Sequence, residues 1–227
     1  ESLFQATAKR LSSPGYAAPL VLTGEAFRFI VTEQLAALEL SANAILIEPE
    51  AHNTAPAVLA AALWLEERDP GALMLVAPSD HVIPDASSFR DAVATASARA
   101  MAGDLVTFGI KPTRPETGYG YLEFEQEHKT LTHEVFPLVR FVEKPDAARA
   151  SAMVDKGNFL WNAGIFLFSV SAILEAYRTH TPDLFASVAK AVEQAEADLG
   201  FTRLASGPWA ELEGVSIGSA LMERASN

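Results

Sequence analysis

The 227-residue chain contains no cysteine. Disulfides, a thiol nucleophile and cysteine-ligated zinc are excluded together, and the composition suits a reducing compartment, so a cytoplasmic location is expected. Positive charge is scarce: 17 Lys and Arg stand against 29 Asp and Glu, a net charge of −12. Without a basic surface, neither nucleic acid nor an anionic membrane is an expected partner. Long apolar runs are missing as well. The longest, Ala55 to Leu65, contains Pro56 and falls short of the ~20 residues that span a bilayer. No repeat, low-complexity tract or Pro/Gly/Ser-rich linker divides the sequence. No basic leader with an apolar core opens it; Glu1–Leu11 reads as a helix entered partway.

What is present is globular in character. Hydrophobic residues make up 49% and charged residues 20%, enough at this length to close a core without staples. Leu20–Thr23, Ala44–Glu48, Leu73–Ala77 and Leu105–Ile110 are continuous apolar runs of strand type. Between them lie helical spacings: Phe27, Ile30, Val31, Leu35 and Leu38, then Val58, Leu59, Ala62 and Leu63, then Phe89, Val93, Ala96 and Ala100. Thr54 and Ser87 or Ser88 are the expected caps of the second and third of these helices. Continuous rather than alternating hydrophobicity means that both faces of a strand are covered, as in a parallel sheet between helices. The expectation is an α/β fold: a doubly wound, mostly parallel Rossmann-like sheet. Beyond Ile110, Tyr119–Phe124 and Val135–Glu143 read as an added antiparallel ribbon with polar turns. A helix capped by Asp146, a strand at Phe159–Phe168 and helices from Ser169 or Ser171 to about Leu199 follow.

Five segments could carry chemistry. Pro78-Ser79-Asp80-His81 follows the most apolar strand, and ligands of open α/β sheets bind beyond the carboxyl ends of strands. Asp80 there suits Mg²⁺ held by one carboxylate and substrate phosphates, or else caps the next turn. Glu48-Pro49 and His52-Asn53-Thr54-Ala55-Pro56-Ala57 end another strand and open a helix, giving either an anion- or base-edge surface or an ordinary Asn/Thr cap. In Gly109–Tyr121, Gly118 and Gly120 flank Tyr119, so the backbone can approach a ligand or simply turn a hairpin. Glu143 and Lys144, if they lie in a strand, point to opposite faces, one toward hydroxyls and one toward a phosphate. Trp161-Asn162-Ala163-Gly164 places an amide inside an apolar strand, where it needs partners from a ligand or from the backbone.

The order of these segments resembles the nucleotidyltransferases that make nucleotide-diphospho-sugars, and among them the mannose-1-phosphate guanylyltransferases. The resemblance runs from about Ser2 to Glu223 on EPEAHNTAPA (Glu48–Ala57), APSDH (Ala77–His81), GIKPTRPETGYGYLE (Gly109–Glu123), VRFVEKPD (Val139–Asp146) and WNAGIF (Trp161–Phe166). It implies transfer of GMP from GTP to α-D-mannose 1-phosphate, giving GDP-mannose and pyrophosphate, with Mg²⁺ as cofactor and a homodimer compatible with it. By the same resemblance Asp80 holds the metal, and Lys144 lies near the sugar phosphate. Asn53, Thr54 and Ala55, with Pro78, Ser79 and His81, serve the nucleoside. Gly118, Tyr119, Gly120, Glu143, Asn162 and Ala163 serve the sugar. The chain departs from the family pattern at His52, where arginine is usual, and at Ser216-Ile217-Gly218-Ser219, where S-I-D-Y is usual. The family's first strand and glycine-rich loop have no counterpart, so the domain expectation is a single nucleotidyltransferase domain over 1–227, incomplete at both ends. Competing expectations are a sister enzyme using UTP or dTTP with glucose 1-phosphate, and a non-catalytic sugar-nucleotide-binding module.

Overall fold

Strands form where the apolar runs predict them. In the computed structural model, which describes residues 1–125 and 134–225, β1 (Leu20–Gly24), β2 (Ala44–Glu48), β3 (Leu73–Val76) and β4 (Val106–Ile110) fall on the four runs. They alternate with α1 (Leu3–Arg10), α2 (Arg28–Ala36), α3 (Thr54–Glu66) and α4 (Ala86–Met101). The second half holds β5 (Tyr121–Glu123), β6 (Arg140–Val142), α5 (Ala147–Lys156), β7 (Phe159–Ser169), α6 (Val170–His180) and α7 (Pro182–Glu193). A hairpin of β8 (Glu196–Asp198) and β9 (Phe201–Arg203), then α8 (Ser206–Ala210) and a π-helical turn at Gly218–Met222, complete the described chain. The polar turn expected between the ribbon strands, 126–133, lies outside the described residues.

The α/β class holds, and the strands divide between two sheets. In one, β1 pairs parallel with β2 and β2 parallel with β9, and β8 closes the order β1-β2-β9-β8. In the other, β7 is the hub. It runs antiparallel to β3 and β4 on opposite edges, with Phe166 facing both Val76 and Thr107, and to β5, which carries β6. The apolar runs of β3 and β4 therefore lack the parallel neighbours that continuous hydrophobicity suggested. Such a run reports cover on both faces, not strand direction: Met74 and Val76 face the main core, while Leu73 and Leu75 face α4.

Three local expectations are corrected. Phe27 and Ile30 are exposed, and of α2 only Val31 and Leu35 are buried. Residues 25–27 form a 3-10 turn, which breaks the 3.6-residue register before the helix starts. Asn53, not Thr54, caps α3, and Asp85, not a serine, caps α4 by accepting from Ser88 N at 2.9 Å. Asp146 and Ser169 cap α5 and α6 as expected. The helices expected to run to about Leu199 stop at Glu193, because Leu199 and Gly200 at φ 50° and 87° turn a hairpin that three-residue strands cannot announce.

The main core surrounds α3. Val58, Leu59, Ala60, Ala61, Ala62 and Trp64 are all buried, and a helix apolar on every side belongs inside. Phe168, Ile173, Leu174, Tyr177, Val188 and Trp209 are among the side chains packed around it. This fixes the start of α3, and with it the segment leading in from β2, against the C-terminal part of the chain.

Candidate functional site

β3 delivers Pro78–His81 to a turn whose backbone is held from α1. Thr7 Oγ1 donates to Ser79 O at 3.5 Å and Arg10 Nη2 donates to His81 O at 3.1 Å. Arg10 is 8% exposed, and burial draws its pKa below the usual arginine range. Gly164, at φ 68°, presses on the other side; a Cβ there would lie 3.6 Å from Pro78 Cγ and 4.0 Å from His81 Cε1. The Asp80 side chain is left 76% exposed, with His81 Nε2 4.0 Å away and no hydrogen bond of its own among the described residues. It does not act as a cap.

The neighbouring wall is the start of β7. Asn162 Oδ1 accepts from Thr107 Oγ1 at 2.8 Å and from Gly164 N at 3.1 Å. The carbonyl end of the amide is thus engaged, and its NH₂ end is left to donate. Asn162 N donates to Gly120 O at 2.8 Å, which ties the strand to the Gly118–Gly120 loop. That loop is well braced. Tyr121 OH donates to Glu116 O and accepts from Glu116 N, both at 2.9 Å, and Glu116 Oε1 accepts from Gly118 N at 3.2 Å. Tyr119 meets Trp161 edge-on at 5.3 Å and stays largely exposed, with the Arg114 guanidinium 5.6 Å from the same indole. Ala163 points elsewhere, into the cluster of Phe89 and Val93 under α4.

Glu143 follows the last residue of β6. Its backbone N–H donates to Glu223 Oε1 at 2.8 Å, and its own Oε1 accepts from Ser216 Oγ at 2.9 Å. The strand-based expectation that Glu143 and Lys144 point to opposite faces fails, because β6 ends at Val142 and Lys144 turns at φ 42°. Lys144 Nζ instead lies 3.8 Å from Glu143 Oε1. A positive φ in a non-glycine residue just before proline is a strained arrangement.

The loop after β2 is the most constrained part of the site. Asn53 sits at φ 67°, ψ −164°, a region used almost only by glycine, while its Oδ1 accepts from Thr54 N at 2.8 Å. Thr54 Oγ1 accepts from Ile217 N at 3.0 Å, Ala55 N donates to Val215 O at 3.1 Å, and Ala55 O accepts from the buried Tyr177 OH at 2.8 Å. Thr54 and Ala55 therefore commit their polar groups to the fold, while the Asn53 amide nitrogen has no hydrogen-bond partner among the described residues. At the end of β2, burial pushes the Glu48 carboxyl up to about 7. The strained Asn53 yields a direct expectation. Asn53→Gly relieves about 1–3 kcal/mol of backbone strain and gives back only a few tenths for the cap. A net rise of about 1 kcal/mol in unfolding free energy is expected in urea titrations. An unchanged or lower midpoint would show that the backbone there is unstrained.

These segments form one continuous surface: Pro78–His81 against Gly164, Asn162 against Gly120, Gly120 against Glu143, Glu143 against Ser216, and Ile217 against Thr54. Residues 1–212 match the family model described as Nucleotidyl transferase. The chain belongs to that nucleotidyl transferase family. A mannose-1-phosphate guanylyltransferase of Sinorhizobium fredii is 42% identical over 100% of this chain and 44% of that protein. The alginate biosynthesis protein AlgA of Pseudomonas aeruginosa is 41% identical over 100% of this chain and 47% of its own length. This nucleotidyl transferase chain thus spans about half the length of the curated relatives it matches. A crystal structure described as mannose-6-phosphate isomerase from Helicobacter pylori superposes at TM-score 0.88 and 30% identity, over 99% of this chain and 85% of that one.

Several contacts of this nucleotidyl transferase surface escape sequence reasoning, although Ser216 itself lies in the stretch noted above as departing from the family pattern. Ser216 and Glu223 lie more than 70 residues from Glu143 in sequence, and no local periodicity links them. Thr107 and Arg10 read as ordinary strand and helix positions. In the structure, the burial of Arg10 without an ion pair among the described residues marks its backbone-holding role. Among the described residues, no helix is long and apolar enough to cross a membrane.

Proposed function

We propose that the protein transfers GMP from GTP to α-D-mannose 1-phosphate, releasing pyrophosphate and GDP-mannose. The observation that carries this is the Asp80 carboxylate, exposed and without a hydrogen bond among the described residues, on a turn whose backbone α1 holds through Thr7 and Arg10. Guanine and mannose are favoured by the name mannose-1-phosphate guanylyltransferase, carried by relatives 42% and 39% identical over 100% and 98% of this chain.

A phosphate oxygen of the sugar phosphate attacks the α-phosphorus of GTP in line, and the bond to the β-phosphate oxygen breaks. The chain's task is to position two anions and offset their charge, with no covalent nucleophile. The Asn53 amide, with Ser79 and His81, meets the nucleoside, while Thr54 and Ala55 hold that segment in place. The Asn162 NH₂ group donates to a sugar hydroxyl and Glu143 accepts from one. Tyr119, between Gly118 and Gly120, covers the sugar, and Lys144 faces its phosphate. Asp80 fits Mg²⁺, which takes one or two carboxylates and otherwise keeps water and phosphate oxygens. When bound, the ion would neutralise charge on the phosphates.

The test is pyrophosphate release by the full-length protein with Mg²⁺ and each of GTP, UTP and dTTP, paired with mannose 1-phosphate or glucose 1-phosphate. GTP with mannose 1-phosphate is expected to lead in kcat/KM by at least about tenfold, the discrimination that one or two lost hydrogen bonds supply. A lead by UTP or dTTP with glucose 1-phosphate overturns the assignment. Binding of GDP-mannose without turnover of any pair points instead to a non-catalytic module.

A further inference from the structure

Among the described residues four polar or charged residues are buried: Thr7, Arg10, Glu123 and Asn158. The carboxylate of Glu123 is met by two cations, Arg140 Nε at 2.5 Å and Lys156 Nζ at 2.6 Å. Arg10 forms no ion pair among the described residues, and its guanidinium lies 6.0 Å from the Phe89 ring. A buried cation without a counter-charge works against the fold, so packing alone does not account for an arginine at this position.

Thr7 and Arg10 stand three residues apart, on one face of α1. Their acceptors are two residues apart, the carbonyls of Ser79 and His81, one on either side of Asp80. The Asp80 side chain makes no hydrogen bond of its own among the described residues, so its place depends on these flanking carbonyls. The donors sit on a fixed element, because α1 is tied to α2 by Gln5 Nε2 donating to Gln34 O at 3.2 Å. We propose that Arg10 and Thr7 are positioning residues for Asp80: a buried, unpaired cation and a hydroxyl that pin the carbonyls around it and so aim the carboxylate at the phosphate-bound cation. This role rests on the reading of Asp80 as the group that holds Mg²⁺.

The experiment compares Arg10→Met, Arg10→Lys, Thr7→Val, Asp80→Ala and the Arg10→Met/Asp80→Ala pair in the full-length protein. Turnover is followed across a Mg²⁺ titration, Mn²⁺ binding by EPR with GTP and no sugar phosphate, and folding by urea midpoints. Arg10→Met keeps an apolar stem and removes the donors with the charge. It is expected to raise the Mg²⁺ concentration for half-maximal turnover about tenfold and to weaken Mn²⁺ binding by a similar factor. Its urea midpoint should move by less than about 0.5 M, because relief of the buried charge offsets the lost hydrogen bond. Arg10→Lys keeps a charge and a donor and should stay within about threefold of the parent. Unchanged metal constants in Arg10→Met overturn the proposal, whatever the urea midpoint does. So does an undiminished effect of Arg10→Met on the residual turnover of Asp80→Ala, where no carboxylate is left to position. Should Arg10→Met not fold, Thr7→Val keeps the shape and is expected to raise the Mg²⁺ requirement about threefold; no rise there refutes the role. If Asp80→Ala itself keeps its turnover and Mn²⁺ binding, the metal reading is wrong and a crystal structure of Thr7→Val decides the positioning. An Asp80 turn displaced from α1 supports it, and one left in place refutes it.

Discussion

Asp80→Ala is expected to reduce turnover by about three orders of magnitude or more while leaving the protein folded. Three decades correspond to about 4 kcal/mol of transition-state stabilisation, a reasonable share for the group that would hold the phosphate-bound cation. The stability forecast follows from the geometry. The side chain is 76% exposed and makes no hydrogen bond among the described residues. The turn that carries it is held through the backbone carbonyls of Ser79 and His81 by Thr7 and Arg10. Truncation removes no hydrogen bond among the described residues, only the exposed 4.0 Å approach of His81 Nε2, so the unfolding free energy should move by less than about 0.5 kcal/mol. Asp80→Asn keeps the shape and removes only the charge, and should lose nearly as much activity. Pyrophosphate release across a Mg²⁺ titration, with urea midpoints alongside, checks both halves. Near-wild-type turnover at any Mg²⁺ concentration would remove Asp80 from the metal.

Legibility in the sequence followed the range of the interactions. β1 to β4 and the helices between them were readable because apolar periodicity is local, and Asp146 and Ser169 because a cap bonds within three residues. The direction of β3 and β4 was not readable. Their partner β7 lies far along the chain, and two-sided burial looks alike beside parallel or antiparallel neighbours. The site divides in the same way. Asp80, Asn162 and Glu143 stand out as polar residues where apolar strands end or are interrupted. What holds them, Arg10 under the Asp80 turn, Thr107 on the Asn162 carbonyl and Ser216 on Glu143, comes from remote segments and leaves no local trace. Thr54 and Ala55 show the converse. Their place in the motif suggests ligand contact, yet their hydrogen-bonding groups serve the C-terminal segment and Tyr177. A motif can mark a neighbourhood without saying which of its residues face the ligand.

Trp209→Ala should be the most damaging substitution for the fold, and it should reach the site as well. Trp209 is fully buried, one of the largest side chains to be so, and packs into the core around α3. Loss of such a ring costs about 3–5 kcal/mol, against a total of about 5–15 kcal/mol for a domain. Its indole N–H also donates to Glu50 O at 2.8 Å, and its ring meets His52 edge-on at 6.2 Å. With Val215 N donating to His52 O at 3.2 Å, this staples the loop that holds Asn53 in its strained conformation. Trp209→Phe separates the two roles, because it keeps most of the ring and drops the hydrogen bond. It should cost about 1–2 kcal/mol in urea titrations and raise the KM for the nucleoside triphosphate severalfold, leaving that for the sugar phosphate nearly unchanged. Equal rises in both constants would mean general loosening of the core. A nucleotide KM that does not move would mean that Asn53 holds its conformation without the staple. Strain at a binding loop persists only where surrounding structure over-determines it, and the indole N–H reaching Glu50 is one of the contacts, with Val215 N on His52 O, that join the core to that loop.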